Sequence, residues 1–205
     1  MTTVLVASRN AKKLAELRRV LDAAGITGID VVGLDAVPEY PEEPETGATF
    51  EENALIKAVA GARATGFACL ADDSGLAVDA LNGMPGVLSA RWCGRHGDDQ
   101  ANNDLLLAQI HDVPDDRRGA AFVSACALVE PSGEQTVTRG EWRGRMLRAP
   151  RGDNGFGYDP LFVPDDDLAG GRSSGELSGA DKDALSHRGK ALAQLVPALR
   201  ELAAR

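Results

Sequence analysis

Basic residues are in short supply. The 205-residue chain has 22 Lys and Arg against 31 Asp and Glu, a net charge of −9. Bulk charge therefore disfavours adhesion to nucleic acid or to an anionic membrane. A polyanionic ligand would have to be met by a few local cations. Cysteine is scarce too: Cys69, Cys93 and Cys126 lie far apart and are odd in number. That rules out a zinc-type spacing, speaks against a disulfide framework and points to a reducing compartment. No apolar run reaches the roughly 18 residues of a membrane-spanning helix, and the amino terminus has no signal-peptide pattern. A soluble, cytoplasmic protein with no membrane and no nucleic-acid partner is expected. Repeats and low-complexity tracts are absent. So are two common phosphate motifs. The first strand is not followed by the Gly-Lys-Ser/Thr ending of a Walker loop, and Gly155-x-Gly157 lacks the third glycine of a dinucleotide fingerprint.

What is present is an ordinary globular composition, 43% apolar, at a length that suits one domain or two closely fused lobes. Residues 1–205 are read as a single domain. Thr2 to Ala7 is a β-branched apolar run and predicts a buried first strand. Ser8 or Asn10 then caps a helix carrying Leu14, Leu17, Val20, Leu21 and Ala24, which stops at Gly25. A second strand follows over Ile29 to Leu34. Asp35 to Gly47, with three prolines among four glutamates, predicts an irregular acidic loop. Thr46 or Thr49 caps the next helix, whose stripe is Phe50, Ala54, Ala58 and Ala62. Phe67 to Ala71 predicts a buried strand ending in a tight turn at Asp72-Asp73-Ser74-Gly75, with strand resuming over Leu76 to Leu81. A helix is expected near 98–111. Two strands, Ala120 to Val129 and Glu134 to Met146, form a hairpin through Glu130-Pro131-Ser132-Gly133. A Gly-rich loop over 148–159 leads to a short strand over Leu161 to Val163. A polar, mobile loop is expected over 164–179. The last helix starts near Ser186 and is broken or kinked at Pro197. Two strand–helix units followed by a hairpin imply a mixed-sheet α/β fold.

Four stretches carry candidate chemistry. Asp72 and Asp73 at a strand end suit a hard divalent cation or the deprotonation of a water, and the same residues also make good turn chemistry. The Ser8 to Lys13 turn collects free backbone N–H groups at the positive end of a helix, with Lys13 in its first turn; an ordinary capped helix reads the same way. Phe156, among glycines, offers an aromatic face for a base. His187 and Arg188 put cations at a helix N-terminus, where the dipole opposes them, which suits service to a ligand.

Taken in order, these stretches resemble the inosine/xanthosine triphosphate pyrophosphatase family. The resemblance rests on Ser8-x-Asn10-x-x-Lys13, Glu45-Thr46-Gly47-x-Thr49-Phe50-x-Glu52-Asn53-Ala54-x-x-Lys57-Ala58, Ala71-Asp72-Asp73-Ser74-Gly75-Leu76, Pro85-Gly86 with Ser89-Ala90-Arg91, Gly155-Phe156-Gly157-Tyr158-Asp159-Pro160, and Ser186-His187-Arg188-Gly189. Arg9 departs from the glycine that many members carry there. The resemblance implies an elongated, two-lobed α/β fold around a long mixed sheet with flanking helices, and a homodimer. It implies magnesium-dependent hydrolysis of non-canonical purine nucleoside triphosphates (dITP, ITP, XTP) to monophosphate and pyrophosphate. By resemblance Asp73 is general base and metal ligand, with Asp72 or Glu45 sharing the magnesium. Asn10, Lys13 and Lys57 would hold the phosphates, and Ser8 and Ser74 would hydrogen-bond them. Phe156 would stack on the purine, with Gly157, Tyr158, Asp159 and Lys182 around it. His187 and Arg188 are donors and would favour a keto base over adenine's amino group.

Three other classes remain to be separated. A non-catalytic nucleotide-binding or RNA-binding module would bind without releasing pyrophosphate. A haloacid-dehalogenase-type phosphatase needs Asp-x-Asp after its first strand, where this chain has Ser8-x-Asn10. A septum-formation-type pyrophosphatase would prefer pyrimidine or canonical nucleotides.

Overall fold

A computed structural model describes residues 1–167, 170–178, 181–182 and 185–205. Six strands form one mixed sheet in the order β2-β1-β3-β4-β5-β6, and helices accompany them, so the α/β expectation holds. The strands are β1 (Thr2–Val6), β2 (Ile29–Val32), β3 (Ala68–Val78), β4 (Gly119–Val129), β5 (Gln135–Met146) and β6 (Phe162–Pro164). The helices used below are α1 (Ala11–Ala23), α2 (Phe50–Thr65), α3 (Asp99–Gln109), α4 (His187–Gln194) and α5 (Val196–Ala203). β1 is parallel to both β2 (Thr2 opposite Ile29) and β3 (Val4 opposite Ala68), while β5 and β6 are antiparallel. The five residues between β4 and β5 close a turn through Gly133 N–H to the Glu130 carbonyl at 2.9 Å. A connection that short suits an antiparallel pair.

Internal contacts divide the chain into two compact units. The first comprises Met1–Asp73, Ser124–Gly140 and Arg188–Arg205; the second comprises Ser74–Val123 and Glu141–His187. In the first, Val4, Val6, Leu17, Leu70, Leu192, Leu195 and Leu199 are fully buried in one cluster. The helical spacing of Leu192, Leu195 and Leu199 thus marks a core face. Pro197 divides that face between α4 and α5, since it can start a helix but not continue one. In the second unit Leu76, Val78, Leu106, Ile110, Leu161 and Phe162 are fully buried around Trp142.

Two expectations are corrected. The turn at Asp72-Asp73-Ser74-Gly75 does not exist, because β3 runs unbroken from Ala68 to Val78. Gly75 is needed for close approach instead. A Cβ there would collide with Ser89 Oγ and lie 2.7 Å from the Gly86 carbonyl. Ser89 Oγ accepts the Leu76 N–H at 2.8 Å, so a side chain completes the strand's hydrogen bonding there. The polar stretch 164–179 is also not all loose loop. Ser173, Ser174 and Gly175 are buried, Leu177 is buried in the core, and Ser173 and Glu176 form a capping box. Part of that expected loop (168, 169 and 179) lies outside the described residues. Among the described residues no helix is long and apolar enough to cross a membrane.

Candidate active site

Strand periodicity organises the first unit's site. Successive side chains on a strand face opposite ways, so Asp72 and Asp73, at the middle of β3, serve two different groups of partners.

Asp72 is buried, at 4% exposure. One oxygen accepts from Lys13 Nζ at 2.5 Å. The other pairs with Arg188 Nε at 3.1 Å, off hydrogen-bond alignment. Burial alone would push this carboxyl's pKa up, but Lys13 and Arg188 outweigh burial and hold it below the usual carboxylate range. Arg188 is itself buried and also pairs with Glu16. Burial opposes its charge too, and Asp72 with Glu16 more than offset that. The position of Arg188 in the first turn of α4 is therefore offset by two protein carboxylates before any ligand arrives. Its buried Nη2 has no hydrogen-bond partner among the described residues.

Lys13 reaches Asp72 because α1 starts where β1 ends. Ser8 Oγ accepts the Asn10 N–H at 3.1 Å, and Asn10 Oδ1 accepts the Lys12 N–H at 3.0 Å. Asn10 is thus the N-cap, and both side chains shape the turn that presents the free N–H groups of the helix start.

Asp73 faces α2. Its Oδ2 accepts from Asn53 Nδ2 at 3.0 Å, and its Oδ1 lies 3.8 Å from Lys57 Nζ. Lys57 Nζ also pairs with Glu45 Oε1 at 2.7 Å. Asn53 and Lys57 are one helical turn apart, so both face the strand. Thr49 starts this helix by accepting the Glu52 N–H at 3.2 Å. Glu45 and Asp73, on a loop and a strand, thereby approach one ammonium group.

Does this arrangement fit magnesium? Two hard carboxylates converge on one cation, here Lys57. A nucleotide-bound magnesium needs only one or two protein carboxylates, the phosphates and water supplying the rest. Among the described residues no three His, Cys, Asp or Glu side chains gather as a self-sufficient metal cage. Asp73 and Glu45 would suit a metal that is carried in by a phosphate ligand. Asp72, enclosed by two cations, is less suited to it than Asp73 and Glu45.

The second unit holds the remaining candidates. Phe156 is 79% exposed, an unusual position for a phenylalanine, and Lys182 Nζ stands 5.0 Å from its ring centroid. Asp159 is buried beneath this loop. It accepts the Phe156 N–H at 2.8 Å and the Ser174 hydroxyl at 2.9 Å, and pairs with Lys182. Gly157 N–H donates to Asp99 at 2.7 Å, and its carbonyl accepts from Asn103 Nδ2 at 2.9 Å. The Tyr158 side chain is buried, its hydroxyl donating to the Ser89 carbonyl at 2.9 Å. Asp159 and Tyr158 therefore shape the loop with their side chains. His187 stacks on Phe122 with ring centroids 5.6 Å apart, and Ser74 is exposed on β3.

Sequence reasoning did not assign Asn53 or Glu16 to the site. The helical spacing of Asn53 and Lys57 was the available signal for the first. Glu16, three residues after Lys13, gave none.

The model of the Ham1 family matches residues 4–198. The chain is 70% identical over 205 residues to a dITP/XTP pyrophosphatase of Nocardia farcinica, covering 100% of this chain and 98% of the relative. It is 66% identical over 203 residues to a dITP/XTP pyrophosphatase of Mycobacterium tuberculosis, covering 99% and 98%. Among solved structures, a nucleoside-triphosphatase / dITP/XTP pyrophosphatase of Mycobacterium abscessus superposes with a TM-score of 0.84 at 65% identity, covering 97% of this chain and 100% of that one. A HAM1 protein of Coxiella burnetii gives 0.86 at 40% identity, covering 98% and 100%.

Proposed function

Because this chain belongs to the Ham1 family, we propose that it is a dITP/XTP pyrophosphatase, cleaving non-canonical purine nucleoside triphosphates to monophosphate and pyrophosphate. The observation that carries this reading is the meeting of Asp73, Glu45 and Lys57 within bonding or ion-pair distance. Hydrolysis at an α-phosphorus needs a base for water and positive charge on both sides of the breaking bond. Asp73 supplies the base: it removes a proton from the attacking water while Asn53 keeps its carboxylate aimed. Lys57 and Lys13, with the N–H groups at the start of α1, hold the triphosphate oxygens, and Ser8, Asn10 and Ser74 add hydrogen bonds. Magnesium, held by Asp73 and Glu45, would supply charge neutralisation on the phosphates. In this reading Asp72 positions Lys13 and does not ligate metal.

Base choice follows from donors. The guanidinium of Arg188 carries only donors, which pair with an acceptor and not with an amino group. Hypoxanthine and xanthine present a keto oxygen where adenine presents an amino group. His187 joins Arg188 in this role, and Phe156 offers its exposed face for stacking, with Lys182 above it. The reading takes residues 1–205 as one catalytic domain, and places the protein in the cytoplasm as a homodimer.

The test is a substrate panel read as pyrophosphate release. With magnesium, dITP, ITP and XTP should turn over at least about 100-fold faster than ATP or GTP. Equal rates across the panel would end the specificity claim. Asp73→Asn should lower kcat by about 1,000-fold or more with folding retained; substantial residual turnover would remove Asp73 from the base role.

A further inference from the structure

Asn53 has no exposed surface, and a buried amide must use its donors and acceptors well. It spends neither on its own helix. Its Oδ1 accepts the Gly47 N–H at 2.8 Å, and its Nδ2 donates to Asp73 Oδ2 at 3.0 Å. This orientation follows from chemistry: Gly47 can only donate there, and an ionised carboxylate can only accept. Gly47 lies two residues after Glu45. A Cβ at Gly47 would stand 2.7 Å from Asn53 Oδ1 and 2.6 Å from Glu52 Cβ, so the loop backbone presses directly on this amide. One side chain thus ties the end of the acidic loop to the central strand.

From these contacts we infer that Asn53 is a positioning residue that sets the spacing of Glu45 and Asp73 for one divalent cation. The inference rests on the magnesium-dependent reading above. Asn is the side chain that fits. Asp keeps the acceptor for Gly47 but replaces the donor with a repelling oxygen. Leu offers neither group. Gln is one methylene too long for a site with no spare surface. Lys57, a turn further along α2, reaches the other Asp73 oxygen. The helix therefore addresses both carboxylate oxygens from one face.

The experiment compares the full-length wild type with Asn53→Ala and Asn53→Asp. Magnesium activation curves with dITP are measured together with Mn2+ binding by electron paramagnetic resonance in the presence of a non-hydrolysable dITP analogue, so that the metal is read with its phosphates but without turnover. Partners behind a metal ligand typically change metal affinity or activity by about 10–100-fold. Asn53→Ala should raise the magnesium concentration for half-activation and weaken Mn2+ binding by about 10-fold, while KM for dITP at saturating magnesium moves less than about 3-fold. Asn53→Asp keeps the side chain's shape and the Gly47 bond, so it reports on the Asp73 end even if the alanine variant fails to fold. It should show the metal defect together with a lowered melting temperature, because the new oxygen is buried against Asp73. Wild-type metal affinity in both folded variants, whatever their melting temperatures, would overturn the inference and leave Asn53 a core residue. A wild type with tight Mn2+ binding but no pyrophosphate release would overturn the functional reading while the Mn2+ comparison still judged Asn53. Absence of any magnesium activation or Mn2+ binding in the wild type would overturn both.

Discussion

Asp72 and Asp73 are adjacent and chemically identical, and their roles diverge because a strand turns successive side chains to opposite faces. Asp72 lies between Lys13 and Arg188, and removing it would leave a buried guanidinium short of a counter-charge. Asp72→Asn should therefore destabilise the native state by about 3 kcal/mol, a typical loss when one partner of a buried pair is removed. Urea unfolding at neutral pH measures it. The pH dependence has a definite sign. Asp72 has a folded-state pKa below its unfolded value, so its stabilisation is present above the unfolded pKa of about 4 and fades as pH falls through the folded pKa. The wild type should lose this component on acidification below about pH 4, and the asparagine variant should lack it. If both lose stability in parallel there, Asp72 is not the titrating group. The adjacent carboxylates were legible as candidates, but their separation was not. It required β3 to continue through a stretch rich in turn-forming residues.

At the scale of elements, the Phe156 loop owes its shape to what lies beneath it. Gly155 has φ +83°, and a Cβ there would collide with the Asp159 carboxylate. Gly152 has φ +77° and passes against the Gly175 backbone. Arg151 N–H donates to the Pro160 carbonyl and Asn154 N–H to the Gly175 carbonyl, both at 2.9 Å. The loop is knitted to 173–177, a stretch whose Gly/Ser-rich composition reads as a mobile loop. Composition misleads there because Ser173 and Ser174 hydrogen-bond inward, to the Arg151 carbonyl at 2.6 Å and to Asp159 at 2.9 Å. Such pairings between distant segments leave no local signal. Gly155→Ala should strain the backbone by about 1–2 kcal/mol and displace Asp159 from the Phe156 N–H. KM for dITP should rise by about 10-fold with a smaller change in kcat, measured by steady-state pyrophosphate release; an unchanged KM would detach this loop from substrate binding. The helix starts were easier to read. Asn10, Thr49 and Asp98 each cap the helix that follows, since capping chemistry is local.

For the molecule as a whole, cysteine scarcity becomes a measurable prediction. Cys69 and Cys126 are fully buried, and burial pushes both thiols up to about 12; for Cys126 the neighbouring Asp72 charge adds to the effect. At pH 8 their thiolate fraction is roughly one in 10,000, against about a quarter for an ordinary thiol near 8.5. Cys93 is only partly buried. A native sample treated with a disulfide reagent at pH 8 should therefore show one fast thiol, and the urea-unfolded chain should show three. Modification of Cys93 should leave dITP turnover within about 2-fold of the untreated enzyme, because no candidate catalytic group depends on a thiolate. Loss of activity in step with the fast thiol would place Cys93 nearer the reaction than its contacts imply. Three fast thiols in the native protein would mean that the first unit opens on the timescale of the reagent, and that its buried charges are less enclosed than their geometry requires.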